Sequence, residues 1–128
     1  MPITIYWDNP QKTIIRLDFQ GSYNWNDFVE ATKAATRLML EVAHPVSILA
    51  NMRPGNMPKN GNAIAIGRSA IQRMPANFDL LILVTNPLVE VLGNAFRHLD
   101  REFREKMILV KSVEEAYEVL AQSPANSG

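Results

Sequence analysis

His98 sits among Arg97, Asp100 and Arg101, the grouping in this chain whose residue types best suit proton transfer. General acid–base chemistry needs a titratable group held by an orienting partner. Asp100 with Arg104 and Arg101 with Glu105 are each spaced four apart, so ion pairing along an outward helix face accounts for the same residues without catalysis. His44 precedes Pro45 in a turn with no acidic neighbour and is expected to be structural. No nucleophile, base and orienting group can be assembled from the remaining residues, so the chain is not expected to be an enzyme. With no cysteine and two histidines it offers no thiolate and few nitrogen ligands, and neither a metal nor a cofactor is expected.

Binding chemistry has two better candidates. Residues 51–62 hold four asparagines, two prolines and two glycines, the composition of a long loop. It follows a short apolar run and precedes a helical pattern, which places it at the carboxyl end of a strand, where open α/β sheets bind ligands. Arg53 and Lys59, with Asn51 and Asn62 and the amides opening the next helix, could hold an anion there. A solvated loop with two scattered cations explains the same residues. Met52 and Met57 add flexible thioethers that could line an adaptable apolar pocket, with the loop 51–62 as its lid.

The second candidate is the helix expected to start at Asn86-Pro87. Leu88, Val89, Val91, Leu92, Ala95, Phe96, Leu99 and Phe103 span an arc of roughly 160°, wider than the minimum apolar stripe of a surface helix. One explanation is a helix that crosses a sheet. The other is a partner interface on Val89, Val91 and Phe96. Both require Leu92 to be buried, but only an interface leaves Val89 and Val91 exposed in a monomer.

The elements that must position these residues follow from hydrophobic periodicity. Ile3, Ile5 and Trp7 alternate with Thr4 and Tyr6, Asp8-Asn9-Pro10-Gln11 supplies a turn, and Thr13 to Phe19 resumes the period of two, which predicts a hairpin. Ile15, Leu17 and Phe19 share its inward face. Asn24 caps a helix from about Trp25 to Val42, with Trp25, Phe28, Val29, Ala35, Met39, Leu40 and Val42 inward and Glu30, Lys33, Arg37 and Glu41 outward. Val46 to Ala50 is a short apolar strand of the kind buried on both faces of a parallel sheet, and Leu80 to Val84, the most continuous apolar run, is expected to be a central strand. A helix carrying Ile64, Gly67, Ile71 and Met74 runs between them until Pro75. The helix from Pro87 extends to about Phe103, Met107 to Val110 form the last strand, and Ser112-Val113-Glu114-Glu115 is a capping box for a closing helix.

The resulting order is ββαβαβαβα: an α/β fold with a five-stranded mixed sheet and about four helices. Strands two to five are expected to be parallel through right-handed crossovers, with strand one antiparallel at an edge. Residues 1–122 are expected to form one domain and 123–128 a disordered tail. Thirteen basic and thirteen acidic residues interleave without a basic stripe, so nucleic acid is not an expected partner. No stretch approaches the roughly 18 apolar residues of a membrane span, and the protein is expected to be soluble and cytoplasmic. No Gly-x-Gly-x-x-Gly or phosphate loop joins a strand to a helix, which removes the dinucleotide-binding expectation.

The element order, the Trp7-Asp8 turn into a strand ending Phe19-Gln20-Gly21 before a Trp25-bearing helix, and the helix start Lys111-Ser112-Val113-Glu114-Glu115-Ala116 together resemble the STAS-like, or SpoIIAA-like, superfamily. The resemblance covers nearly the whole chain. It implies a superhelix of strand–helix units and a regulatory role through protein association. Anti-sigma-factor antagonists of this superfamily carry a phosphorylatable serine or threonine after the third strand. The matching stretch here, residues 51–65, has neither, so a phosphorylation switch is not expected. The first expectation is therefore a non-enzymatic regulatory or scaffold domain acting by protein association, as a homodimer through an exposed helix face. The second, also suggested by superfamily relatives proposed to bind apolar molecules, is a carrier of a small apolar ligand or lipid. The two differ physically: association requires an apolar patch on a closed surface, and carriage an internal apolar cavity.

Overall fold

A computed structural model describes residues 2–99 and 101–123, with Glu102 and Phe103 defined through their backbone alone. The hairpin forms from β1 (Ile3–Trp7) and β2 (Ile14–Phe19), antiparallel with Ile5 opposite Leu17. Asn9 closes its turn by accepting the Thr13 amide at 3.0 Å. There follow β3 (Gly21–Ser22), α1 (Trp25–Met39), β4 (Val46–Asn51), β5 (Gly55–Asn56), α2 (Ala63–Gln72), β6 (Phe78–Val84), α3 (Pro87–Leu99), α4 (Arg101–Lys106), β7 (Met107–Val110) and α5 (Val113–Ala121).

The main sheet runs β1-β2-β4-β6-β7, with β1 antiparallel at one edge and the other four strands parallel. Each parallel strand is added on the same side of the last. Right-handed crossovers then carry α1, α2 and α3 over one face of the sheet. On that face Ile15, Leu17, Phe19, Ile48, Ala50 and Leu83 pack against Ala31, Ala35, Met39 and Val89. The opposite face buries Ile14, Leu49, Ile82, Val84 and Val110 under Ala116 and Leu120 of α5 alone.

Four details depart from the periodic expectation. The first helix ends at Met39, and Leu40, at its C-cap, stands 69% exposed instead of facing inward. The strand expected from Leu80 starts at Phe78, because a bulge opposite Ser47 breaks its alternation: Val46 pairs with Phe78, but Ile48 pairs with Leu81. The Ser47 hydroxyl accepts the Leu80 amide at 3.3 Å and supplies the partner the bulge would otherwise leave missing. Inside the 51–62 loop, β5 pairs in parallel with β3 as a second, two-stranded ribbon. Finally, the helix expected to end at about Phe103 is described over Pro87–Leu99 and Arg101–Lys106, and so reaches Lys106.

Asp100 lies outside the described residues, and its pairing with Arg104 lies there with it. Arg101 and Glu105 form their pair at 3.9 Å, both largely exposed. Ser123 belongs to the fold, being buried and donating to Asp79 at 3.2 Å, whereas residues 124–128 of the expected tail lie outside the description. No helix among the described residues is long and apolar enough to cross a membrane.

Candidate functional site

The sheet and the three helices above it do not close on each other completely. Between them lies a cavity of about 110 Å³. Leu17 and Phe19 of β2, Ile48 and Ala50 of β4, and Leu81 and Leu83 of β6 form its floor. The bulge contributes here, because it turns Phe78 onto the same face, where that residue joins the wall with Met107 at the start of β7. The roof is built by Trp25, Phe28, Thr32 and Ala35 of α1, Ala63, Gly67, Ala70 and Ile71 of α2, and Val89, Leu92, Gly93 and Phe96 of α3.

The size of the space follows from side-chain volume. Ala35, Ala50, Ala63 and Ala70 all line it, so α1, β4 and α2 present methyls where a core of this span would ordinarily carry branched residues. The glycines act differently, by bringing neighbours close. A Cβ at Gly67 would lie 2.5 Å from Phe96 Cζ, and one at Gly93 would lie 2.8 Å from Leu109 Cδ2. Phe96 thereby seals the joint between α2 and α3.

The wall is almost wholly apolar. Thr32 contributes a hydroxyl, already donating to the Val29 carbonyl at 2.8 Å, and Trp25 contributes an indole N–H, which donates to the Asn60 carbonyl at 2.6 Å. The second bond fastens the 51–62 loop across one corner of the cavity, and Met52 and Met57 of that loop project into the wall. Gly61, at φ +89°, lets the loop pass directly over the indole, since a Cβ there would lie 2.7 Å from Trp25 Nε1. Trp25 itself is set by edge contacts with Tyr23 and Phe28, whose ring centroids lie 6.4 and 5.7 Å away.

The other end of the loop is anchored from across the sheet. Asn86 donates to the carbonyls of Met52, Arg53 and Gly55 at 3.3–3.5 Å while its side-chain oxygen caps α3 at the Val89 amide, 3.0 Å away. Arg53 reaches over the carboxyl ends of the parallel strands and donates to the carbonyls of Thr85 at 3.0 Å and Lys111 at 3.3 Å. Its guanidinium therefore acts as a structural clamp across these strand ends. Asn51 ends β4, half-buried; Asn62 caps α2 by accepting the Ala65 amide at 3.0 Å; and Lys59 stands in solvent.

The helix candidates separate cleanly. Val89, buried at 3% exposure, and half-buried Phe96 turn into the cavity, so Val89 presents no surface to a partner. Val91 stands 67% exposed, with Leu88 and Leu99 also turned outward. Leu92 is half-buried at the cavity wall. The space expected beneath the loop is present, but it lies under the first three helices: the closing helix, α5, packs on the opposite face.

On that opposite face, beside α5, Tyr6 donates to Asp18 at 2.6 Å, Arg16 donates to Asp18 and to the Tyr117 hydroxyl at 3.0 Å each, and Tyr117 donates to Asp8 at 2.9 Å. The bond to Asp18 holds the Tyr6 phenol up at about 12, so it stays neutral at ordinary pH and is no base. Among the described residues no group of three His, Cys, Asp or Glu is placed to hold a metal ion. His44 accepts or donates a bond at the Lys12 carbonyl, 2.8 Å away, in keeping with a structural part in the turn.

Of the cavity-forming residues, the sequence pointed to the two loop methionines as a pocket wall and to the inward faces of the second strand and of the helices. Alanine and glycine at inward positions of α1, β4, α2 and α3 were the signal that could have located the space. No family model matches the chain, and no curated protein matches its sequence.

Proposed function

We propose that this domain is a non-enzymatic binding protein that holds a small apolar molecule between its sheet and helices α1–α3. The observation that carries the proposal is the cavity itself: about 110 Å³ of space inside an otherwise close-packed core, walled by apolar side chains whose few polar atoms are already partnered. An empty space of this size costs stability, and a chain gains that stability back when an apolar guest fills it. Membership of the STAS-like superfamily belongs to the same proposal. It is supported by the sheet order and by the strand–helix units wound over one face. The absence of Ser and Thr from residues 51–65 leaves a phosphorylation switch without an acceptor there.

A second reading, association through α3, is favoured by one observation: Leu88, Val91 and Leu99 form an exposed apolar stripe along that helix. Native mass spectrometry on untagged protein distinguishes the two. A monomer carrying a discrete mass that solvent extraction removes is the expected result. A guest-free dimer that Val91→Asp dissociates would overturn it in favour of association.

A further inference from the structure

The guest's chemistry and its route can both be read from the wall. An apolar cavity of roughly 150 Å³ is known to stay dry and to admit benzene or xenon. At about 110 Å³, this one has room for a single small ring or a branched hydrocarbon of that bulk, and lacks room for an extended acyl chain. Charge is excluded as well. The side-chain hydroxyl of Thr32 and the indole N–H of Trp25 are both committed to backbone carbonyls. Arg73 donates to Thr32 Oγ1 at 3.4 Å, but it is exposed and, like Arg97 beside Phe96, forms no part of the lining. A carboxylate drawn into the cavity would find no side-chain donor free to meet it.

Access follows from what closes each border. At the α2–α3 joint the Phe96 ring rests directly on the backbone of Gly67, where a Cβ would lie 2.5 Å from its Cζ. At the α1 corner the cover is a loop whose tip is fastened to the helix by the bond from Trp25 Nε1 to the Asn60 carbonyl. Segments held by few contacts open at the lowest free energy. Half-buried Trp25, Met57 and Ala63 meet at this corner, so release of the one bond exposes the cavity there.

We infer that the cavity takes a compact, uncharged apolar guest of about one ring in size, admitted when the Trp25–Asn60 bond opens and the 57–62 segment lifts. This rests on the binding function proposed above. Four methionines report on it directly, because Met52, Met57, Met74 and Met107 line the cavity, while Met39 is buried elsewhere in the core.

The experiment is methyl NMR on protein labelled at the methionine methyls, titrated in parallel with toluene and with octanoate. Toluene is expected to move the four lining methyls and leave Met39 in place, and octanoate to move none of them. In Trp25→Phe, which keeps the ring and removes the donor, toluene dissociation is expected to be about three- to tenfold faster, the kinetic equivalent of one hydrogen bond. If neither compound moves any lining methyl, the binding function itself fails. If octanoate moves them as toluene does, the binding function stands and the uncharged class is wrong. An unchanged dissociation rate in Trp25→Phe would overturn the route.

Discussion

Replacing Ala50 with isoleucine tests the cavity through the sign of a stability change. Ala50 sits in the middle of the floor, 5% exposed, paired in register with Leu17 on one side and Leu83 on the other. Isoleucine suits a strand and adds three carbons pointing into the empty space. At about 24 cal/mol per Å³, a cavity of 110 Å³ sets a ceiling of about 2.6 kcal/mol on what filling can recover. Burying three further carbons at about 0.8 kcal/mol each gives a similar figure, about 2.4 kcal/mol. Imperfect rotamer fit lowers the expected gain to about 1–2 kcal/mol. Urea denaturation followed by circular dichroism should show the midpoint raised by about 0.5–1 M at unchanged slope. Wild type with toluene at a hundred times its dissociation constant should gain about 2.7 kcal/mol, and the filled variant almost none. A loss of more than about 1 kcal/mol would refute the reasoning, since that is the response of a site already packed.

Other residues give further checks. Gly61→Ala puts a methyl against Trp25 at a φ of +89°, and should cost about 1–3 kcal/mol in a denaturation midpoint while speeding toluene exchange. Asn86→Ala removes the α3 cap and the anchor of residues 52–55 together; it should cost about 1–2 kcal/mol and accelerate amide hydrogen exchange across that segment. Burial pushes the Tyr23 phenol up to about 12 from 10.0, so the folded state holds that proton longer than the unfolded chain. The associated stability is fully present below pH 10 and falls as pH rises towards 12; Tyr23→Phe should lessen that fall in midpoints measured at pH 9, 10 and 11.

Where one residue's polarity reports its face, the sequence was readable. Ile15, Leu17 and Phe19 alternate with Arg16 and Asp18, and the structure divides them between the two sides of the sheet accordingly. Asn24 and Ser112 begin helices because their side chains accept the amide three residues on, a purely local event. Legibility ended where the deciding contact was remote. Phe78 and Asp79 fell outside the strand expected from Leu80 because the bulge that turns Phe78 inward depends on Ser47, some thirty residues earlier. Arg53 read as a free cation because its acceptors, Thr85 and Lys111, are carbonyls at the ends of two later strands. Val89 and Val91 both lay on the wide apolar arc, and only the rotation of α3 against β6 and β7 decided which of them was buried. The cavity was hardest to see, because an inward alanine has the same hydrophobicity whether a neighbour fills the space beside it or not.

The most direct measurement is a crystal structure determined under xenon pressure. Xenon has no charge and no hydrogen bond to offer, so it occupies only space that is empty, apolar and reachable. The expected result is a single strong xenon peak between Ala50, Leu83 and Gly67, with Trp25 still bonded to Asn60 or displaced from it. A core that takes up no xenon, or one in which ordered water fills the same space, would contradict the account.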